Sequence, residues 1–124
     1  MKISAPNNFG ESHKPSFEKE ALLSRCGNKN ELVKKLISIV LDDIPKQIEK
    51  LDQALKENNT VELYQVAHKI KGTSLNLGFP LLKDAAEKLE KTSRISTNIT
   101  EDIQKLLLQL KKEWEELLPQ LLEF

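Results

Sequence analysis

The sequence predicts an all-α fold, an antiparallel four-helix bundle preceded by a short additional N-terminal helix. Apolar residues recur three or four positions apart over most of the chain after residue 16, which is the spacing of amphipathic helices. No segment of any length alternates apolar and polar residues as a half-buried strand does. Glycine, proline and polar cap residues divide the pattern into one short and four long segments, and long helices joined by short loops are typical of an antiparallel bundle.

The first element of the chain, residues 1–15, is polar and rich in Pro, Gly, Asn and Ser, and we interpret it as a flexible tail or linker. The helical bundle domain is predicted over residues 16–124. Its short leading helix is expected over residues 17–26, with Ser16 as the N-cap and Gly27 at its end.

The second helix is predicted to be the longest, from about residue 28 to residue 58. Asn28 and Glu31 have the spacing of a capping box at its start. Its buried stripe is predicted from apolar residues three or four positions apart, namely Leu32, Leu36, Val40, Ile44, Ile48, Leu51 and Leu55.

The third and fourth helices are separated by a glycine and a proline. The third is predicted from about Thr60 to Leu77, with Asn59 as its cap and Gly78 at its end. Pro80 suits the first turn of the fourth helix, which is predicted over residues 80–92.

The last helix follows a loop predicted at residues 93–98. Asn98 and Glu101 are spaced as a helix start, and the helix is expected to run to about Leu118, where Pro119 disturbs its end.

The composition excludes several functional classes. Nineteen basic and nineteen acidic side chains cancel, so no bulk charge draws the chain to nucleic acid or to an anionic membrane. No apolar run has the length of a membrane span, so no membrane insertion is expected. Cys26 is the only cysteine, which excludes an intrachain disulfide and favours the cytoplasm. The four glycines are too scattered for a nucleotide-binding loop.

The orientation of His68 follows from a helical wheel of the third helix, drawn at about 100° per residue. With His68 at 0°, the core stripe lies close to 180° and contains Leu63, Val66, Ile70 and Leu77. His68 is therefore predicted to face outward. Within about 60° of it lie Val61, Tyr64, Gln65, Lys71, Gly72 and Leu75. Apolar residues grouped around an outward polar side chain suggest a docking surface.

Gly72 lies in the interior of this helix, where glycine costs roughly 0.5–1 kcal/mol relative to alanine. The wheel places it beside His68 and away from the core, which argues against a role in helix packing. A missing side chain there leaves room for a partner's backbone or for a group attached to the histidine. Lys71, one turn after His68, would stabilise an anion carried by the imidazole.

The motif His68, Lys71, Gly72, Thr73, Ser74, Leu77, Gly78 resembles that of histidine-containing phosphotransfer (HPt) domains, the intermediate carriers of phosphorelays. The resemblance covers about residues 16 to 120. It includes the segments "FEKEALLSRCGNKNELVKKLI" and "LDDIPKQIEKLDQAL", which are similar to HPt domains of hybrid sensor histidine kinases.

The resemblance implies that His68 accepts a phosphoryl group from the aspartyl phosphate of a receiver domain and passes it to the aspartate of another receiver. Lys71 would pair with the phosphoryl oxygens and Gly72 would give access. In this family a polar side chain on the following helix can hydrogen-bond the histidine ring and orient it. The residue of this chain that matches that position, when the two sequences are aligned without a gap, is Glu90. The residues expected to bind the partner are Val61, Tyr64, Gln65, Lys69 and Leu75, with a lesser electrostatic role for Lys69.

The same resemblance implies the partners: receiver domains of response regulators and of a hybrid histidine kinase. Mg²⁺ would be held by the receiver, so no cofactor or metal site is expected in this chain. Without an ATP-binding domain, the chain would be a carrier rather than a kinase, and a monomer is expected.

Three alternatives stay open. A helical interaction module without phosphoryl chemistry would leave His68 as an ordinary surface residue. A metal-binding bundle would need inward-facing histidines and carboxylates, but the only other histidine is His13 in the tail. The dimerisation and phosphoacceptor domain of a histidine kinase usually has an acidic residue after the histidine and a proline soon after it. Here Lys69 follows, and no proline comes before Pro80.

Overall fold

The computed structural model describes residues 14–124, which contain five helices and no strand. The helices are α1 (Lys19–Arg25), α2 (Asn30–Lys56), α3 (Thr60–Leu77), α4 (Pro80–Arg94) and α5 (Glu101–Leu122). The prediction of an all-α fold with a short leading helix is confirmed. Residues 1–13 of the predicted tail lie outside the described residues, so the extent of the tail stays a prediction.

The four long helices form a closed bundle. Each packs against the next along the chain, α2 also contacts α5, and α1 rests on α2. The segments between them are residues 57–59, 78–79 and 95–100, too short to let consecutive helices run in the same direction. The core lies between the helices and is formed largely by leucine and isoleucine, including Ile44, Leu51, Leu63, Ile70, Leu82, Leu89, Ile103, Leu107, Leu110 and Leu117.

The boundaries of α3, which carries His68, are those that the sequence predicts. The Asn59 side chain accepts a hydrogen bond from the Glu62 backbone N–H at 3.0 Å, so the predicted cap is present. Gly78 follows the last turn in the left-handed conformation, with φ of 81°. Pro80 is the first residue of α4, as predicted.

The turn between α3 and α4 is held by the chain that precedes α1. The Glu18 backbone N–H donates to the Gly78 carbonyl oxygen at 2.7 Å, and the rings of Phe17 and Phe79 meet edge to face, with centroids 5.6 Å apart. Lys14 pairs with Asp84 of α4 at 2.7 Å. The end of α3 is therefore fixed by a third segment of the chain.

Two predicted caps at the start of the bundle are wrong. The N-cap of α1 is Glu18 rather than Ser16, and its side chain makes no cap hydrogen bond. The N-cap of α2 is Lys29, because Asn28 is used otherwise. Asn28 adopts a φ of 60°, and its N–H donates to the Leu23 carbonyl oxygen at 2.8 Å, so it closes α1 instead of opening α2.

The predicted cap of α5 is also wrong. Asn98 accepts a hydrogen bond from the side chain of Asn58 at 3.1 Å, across the bundle end between two loops. Thr100 caps α5 instead, since its hydroxyl accepts from the Ile103 N–H at 3.2 Å.

The buried stripe of α2 differs in part from the prediction. Its buried residues are Val33, Ile37, Val40, Ile44, Gln47, Leu51 and Ala54, whereas Leu32 is exposed. Leu36, Ile48 and Leu55 are only partly buried. The predicted series begins with repeated steps of four residues, which drift round a helix of 3.6 residues per turn. The observed series alternates steps of four and three, so it stays on one face.

Two helices extend beyond their predicted ends. α4 continues to Arg94, with Ser93 buried and its hydroxyl bonded to the Leu89 carbonyl oxygen at 2.7 Å. α5 continues through Pro119 to Leu122. Proline removes one backbone hydrogen bond there, but burial of Leu117 and Leu121 on either side of it stabilises the last turn.

Candidate functional site

The structure places His68 on the outer face of α3, as the helical wheel predicts. Its side chain is 62% exposed, whereas Leu63 and Ile70 on the opposite face are fully buried. His68 is therefore not a core histidine, and its ring is open to a reactant that arrives from solvent.

One side of the imidazole is fixed by Glu90 of α4. The His68 Nδ1 lies 2.9 Å from the Glu90 Oε2, and the Glu90 side chain is only 6% exposed. An ionised carboxylate can only accept a hydrogen bond, so Nδ1 carries the proton and donates it. In the neutral ring the lone pair is then on Nε2, which is the nucleophilic nitrogen.

Two cations share the Glu90 carboxylate with His68. Lys71 Nζ lies 2.8 Å from Oε1, in a close ion pair that is not a well-directed hydrogen bond. Arg94 Nη2 donates to Oε2 at 2.8 Å. Burial raises the pKa of Glu90, but the close contacts with Lys71, His68 and Arg94 outweigh it and hold the pKa at about 2. The carboxylate is therefore ionised at neutral pH.

Gly72 borders open space. A Cβ at this position would meet no atom within 4 Å outside the local helix backbone. Packing against a neighbouring helix therefore does not explain the glycine, and the space beside His68 is free for another molecule.

Two exposed apolar side chains flank the histidine along α3. Val61 and Leu75 lie seven residues before and after His68, about 10 Å away in each direction along the helix axis, and are 50% and 62% exposed. Gln65 and Lys69 are also exposed. The predicted partner-binding residues therefore share the surface that carries His68.

Arg94 is the site residue that the sequence analysis missed. It lies over the ring of the half-buried Tyr64, with the guanidinium carbon 4.6 Å from the ring centroid. Arg94 and Tyr64 line a shallow depression together with Gln65, His68 and Lys69. The predicted fourth helix ended before Arg94, so the residue was assigned to a loop. Its position four residues after an acidic residue was the available signal.

The described part of the chain contains no group of three or more His, Cys, Asp or Glu side chains placed to hold a metal ion. Within residues 14–124, no helix combines the length and the apolar character that crossing a membrane requires. The chemistry that the described site itself offers is that of an exposed imidazole with an oriented ring and a nearby lysine.

The comparisons with known proteins agree on one family. The model of the Hpt domain family matches residues 35–123. The signal transduction histidine-protein kinases BarA of Escherichia coli (strain K12) and of Shigella flexneri are each 27% identical over 93 residues. That match covers 75% of this chain but only 10% of either kinase.

A solved structure with the same fold is the HPT domain of a sensor hybrid histidine kinase from Shewanella. It superposes with a TM-score of 0.74 at 22% sequence identity, covering 87% of this chain and 92% of that one. The similarity to this domain shows the helical bundle, and the family match covers most of the chain. The chain therefore belongs to the Hpt domain family, the phosphotransfer modules of two-component signalling systems.

Proposed function

We propose that this chain is a phosphorelay intermediate. His68 accepts a phosphoryl group from the aspartyl phosphate of one receiver domain and passes it to the aspartate of another. The observation that carries the proposal is the pair of His68 and Glu90: an exposed imidazole whose Nδ1 is bound by a buried, ionised carboxylate. This arrangement turns the nucleophilic Nε2 away from Glu90.

The transfer step needs no group that the two proteins lack. The Nε2 lone pair attacks the phosphorus, the bond from phosphorus to the aspartyl oxygen breaks, and its electron pair returns to the carboxylate. The phosphorylated ring then carries a positive charge, with its Nδ1 proton still donated to Glu90. The Glu90 carboxylate offsets that charge. Donation to the second receiver is the reverse of this step.

The neighbours of His68 have separate roles in this proposal. Lys71 leaves Glu90 Oε1 to neutralise the phosphoryl oxygens, since phosphoryl transfer depends chiefly on positioning and charge neutralisation. Gly72 admits the phosphoryl group and the receiver's loops. Val61, Tyr64, Gln65, Lys69 and Leu75 form the surface on which the receiver docks.

The proposal makes the chain a carrier rather than a kinase. Its partners are receiver domains of response regulators and of a hybrid histidine kinase, and Mg²⁺ belongs to the receiver. It acts as a monomer that presents one His68 surface to each receiver in turn. The single cysteine fits the reducing cytoplasm, which we propose as its location.

A transfer assay tests the site. A purified receiver domain carrying labelled aspartyl phosphate is mixed with the chain in the presence of Mg²⁺. The wild type is compared with His68→Gln and with His13→Gln, which replaces the only other histidine. We expect acid-labile, base-stable label on the wild type and on His13→Gln, and none on His68→Gln.

Two results would contradict the proposal. Label on His68→Gln would place the phosphoryl group elsewhere. Absence of label on a folded wild type, with every member of a broad panel of receivers, would favour a helical interaction module without phosphoryl chemistry.

A further inference from the structure

Arg94 is held at two points that belong to different helices. Its Nη2 donates to the Glu90 Oε2 at 2.8 Å, and both residues are on α4. Its guanidinium carbon lies 4.6 Å from the centroid of the Tyr64 ring, on α3. A planar guanidinium can lie on an aromatic ring and donate at its edge at the same time. Arg94 therefore ties the Glu90 carboxylate to the helix that carries His68.

The two cations at Glu90 hold different oxygens. Lys71 lies against Oε1, whereas Arg94 donates to Oε2, the oxygen that also binds His68. In the proposed reaction Lys71 moves to the phosphoryl group. Of the two cations, only Arg94 then still holds the buried carboxylate, at the oxygen that orients the imidazole.

We propose that Arg94, whose guanidinium lies on the ring of Tyr64, is a positioning residue for the phosphotransfer reaction. This inference rests on the proposed function. It fixes Glu90 Oε2 against His68 Nδ1 and so keeps Nε2 unprotonated and directed outward, also after Lys71 has left the carboxylate. Arg94 acts through Glu90 and need not touch the phosphoryl group.

The first test measures the position of the proton on the His68 ring directly and needs no receiver. Nitrogen-15 NMR of the imidazole reports which nitrogen of neutral His68 carries the proton. We expect the proton on Nδ1 in the wild type and a clear shift of population toward Nε2–H in Arg94→Met. Arg94→Lys keeps the charge but loses the planar group, so we expect an intermediate population.

Matched variants separate positioning from general charge effects. Lys91→Met removes one positive charge from the same helix, at a lysine that pairs with Glu87 rather than with Glu90. We expect the His68 proton to stay on Nδ1 in this variant. Tyr64→Leu removes the aromatic ring on which Arg94 lies and should shift the neutral His68 ring toward the form protonated on Nε2. Tyr64→Phe keeps the ring and should leave the proton on Nδ1.

The second test is the rate of phosphoryl transfer from a receiver to Arg94→Met. We expect a loss of about tenfold or more relative to Lys91→Met, because even a small misplacement of a reacting group can slow a reaction by up to about a hundredfold. Urea unfolding of each variant shows whether the fold is intact. If Arg94→Met does not fold, the transfer rate is measured on Arg94→Lys instead.

Two outcomes would overturn the inference. One is a His68 ring in Arg94→Met with the same proton populations as in Lys91→Met. The other is slower transfer with unchanged ring populations, which would mean that Arg94 contacts the receiver or the phosphoryl group. A wild type that no receiver phosphorylates would refute the proposed function instead, while the ring populations would still test the positioning role.

Discussion

Replacing Glu90 with glutamine tests whether three partners hold an ionised carboxylate inside this bundle. Burial raises the pKa of Glu90, but the close contacts with Lys71, His68 and Arg94 outweigh burial and lower the pKa from its ordinary value of 4.5 to about 2. At about 1.4 kcal/mol for each pKa unit, the ionised form of Glu90 contributes about 3 kcal/mol to the free energy of unfolding at neutral pH.

The sign of the pH dependence follows from the lowered pKa. The unfolded chain binds a proton at Glu90 near pH 4.5, whereas the folded chain does so only near pH 2. The stabilisation is therefore fully present above about pH 5 and is lost as the pH falls toward 2. By pH 3 about 2 kcal/mol of it should be gone, by the linkage relation with these two pKa values.

Urea unfolding followed by circular dichroism measures this loss, at pH 5 and at pH 3, for the wild type and for Glu90→Gln. Other carboxylates also titrate in this range, so the quantity of interest is the difference between the two proteins. We expect that difference to change by about 2 kcal/mol in favour of the variant at pH 3. An equal difference at both pH values would refute the interpretation of Glu90 as a carboxylate held ionised by its neighbours.

Substitutions at three further positions test the elements around the site, each by urea unfolding. Gly72→Ala should raise the free energy of unfolding by about 0.5–1 kcal/mol, because the added Cβ meets open space. The same variant should slow phosphoryl transfer, and a destabilised variant would show that the glycine serves packing. Gly78→Ala should lower the free energy of unfolding by more than about 1 kcal/mol, because φ is positive and the Cβ would lie 3.3 Å from Glu18. A neutral effect would argue against the tight turn. Asn59→Ala should cost about 1 kcal/mol through loss of its bond to Glu62, and Asn59→Ser should restore most of it.

The fold could be predicted because its main signals are local. The apolar periodicity of each long helix and the breakers at Gly78 and Pro80 depend on residues a few positions apart, and they gave the five helices in order. One error lies where a distant residue competes for the same group. Asn98 has the sequence of a cap but bonds to Asn58, forty residues away. Such a choice between partners depends on how the loops meet, which local sequence does not encode.

The candidate site likewise has features that follow from local sequence and features that depend on contacts between helices. The outward orientation of His68 follows from the wheel, because it depends only on the pitch of α3. The ion pair of Lys71 with Glu90 at rest joins two helices and was not predicted, although both residues were expected at the site. Arg94 was missed because the end of α4 was placed two residues too early, and the buried Ser93 that extends the helix reveals itself only in the packed structure.

The turn at Gly78 and Phe79 explains why these particular residues meet. His68 and Glu90 lie eleven residues before and after Phe79, and Tyr64 and Arg94 lie fifteen residues before and after it. In an antiparallel hairpin, residues equally far from the turn lie at the same height, because both helices rise by about 1.5 Å per residue.

The two contacts are one helical turn apart, so the register that brings Glu90 to His68 also brings Arg94 to Tyr64. That register depends on a turn of two residues, which Glu18 and Phe17 hold from outside the hairpin. One added residue in the turn would shift α4 along α3 and rotate it by about 100°, moving Glu90 away from the imidazole. The position of Glu90 beside His68 thus depends on the geometry of a turn about 15 Å farther along α3.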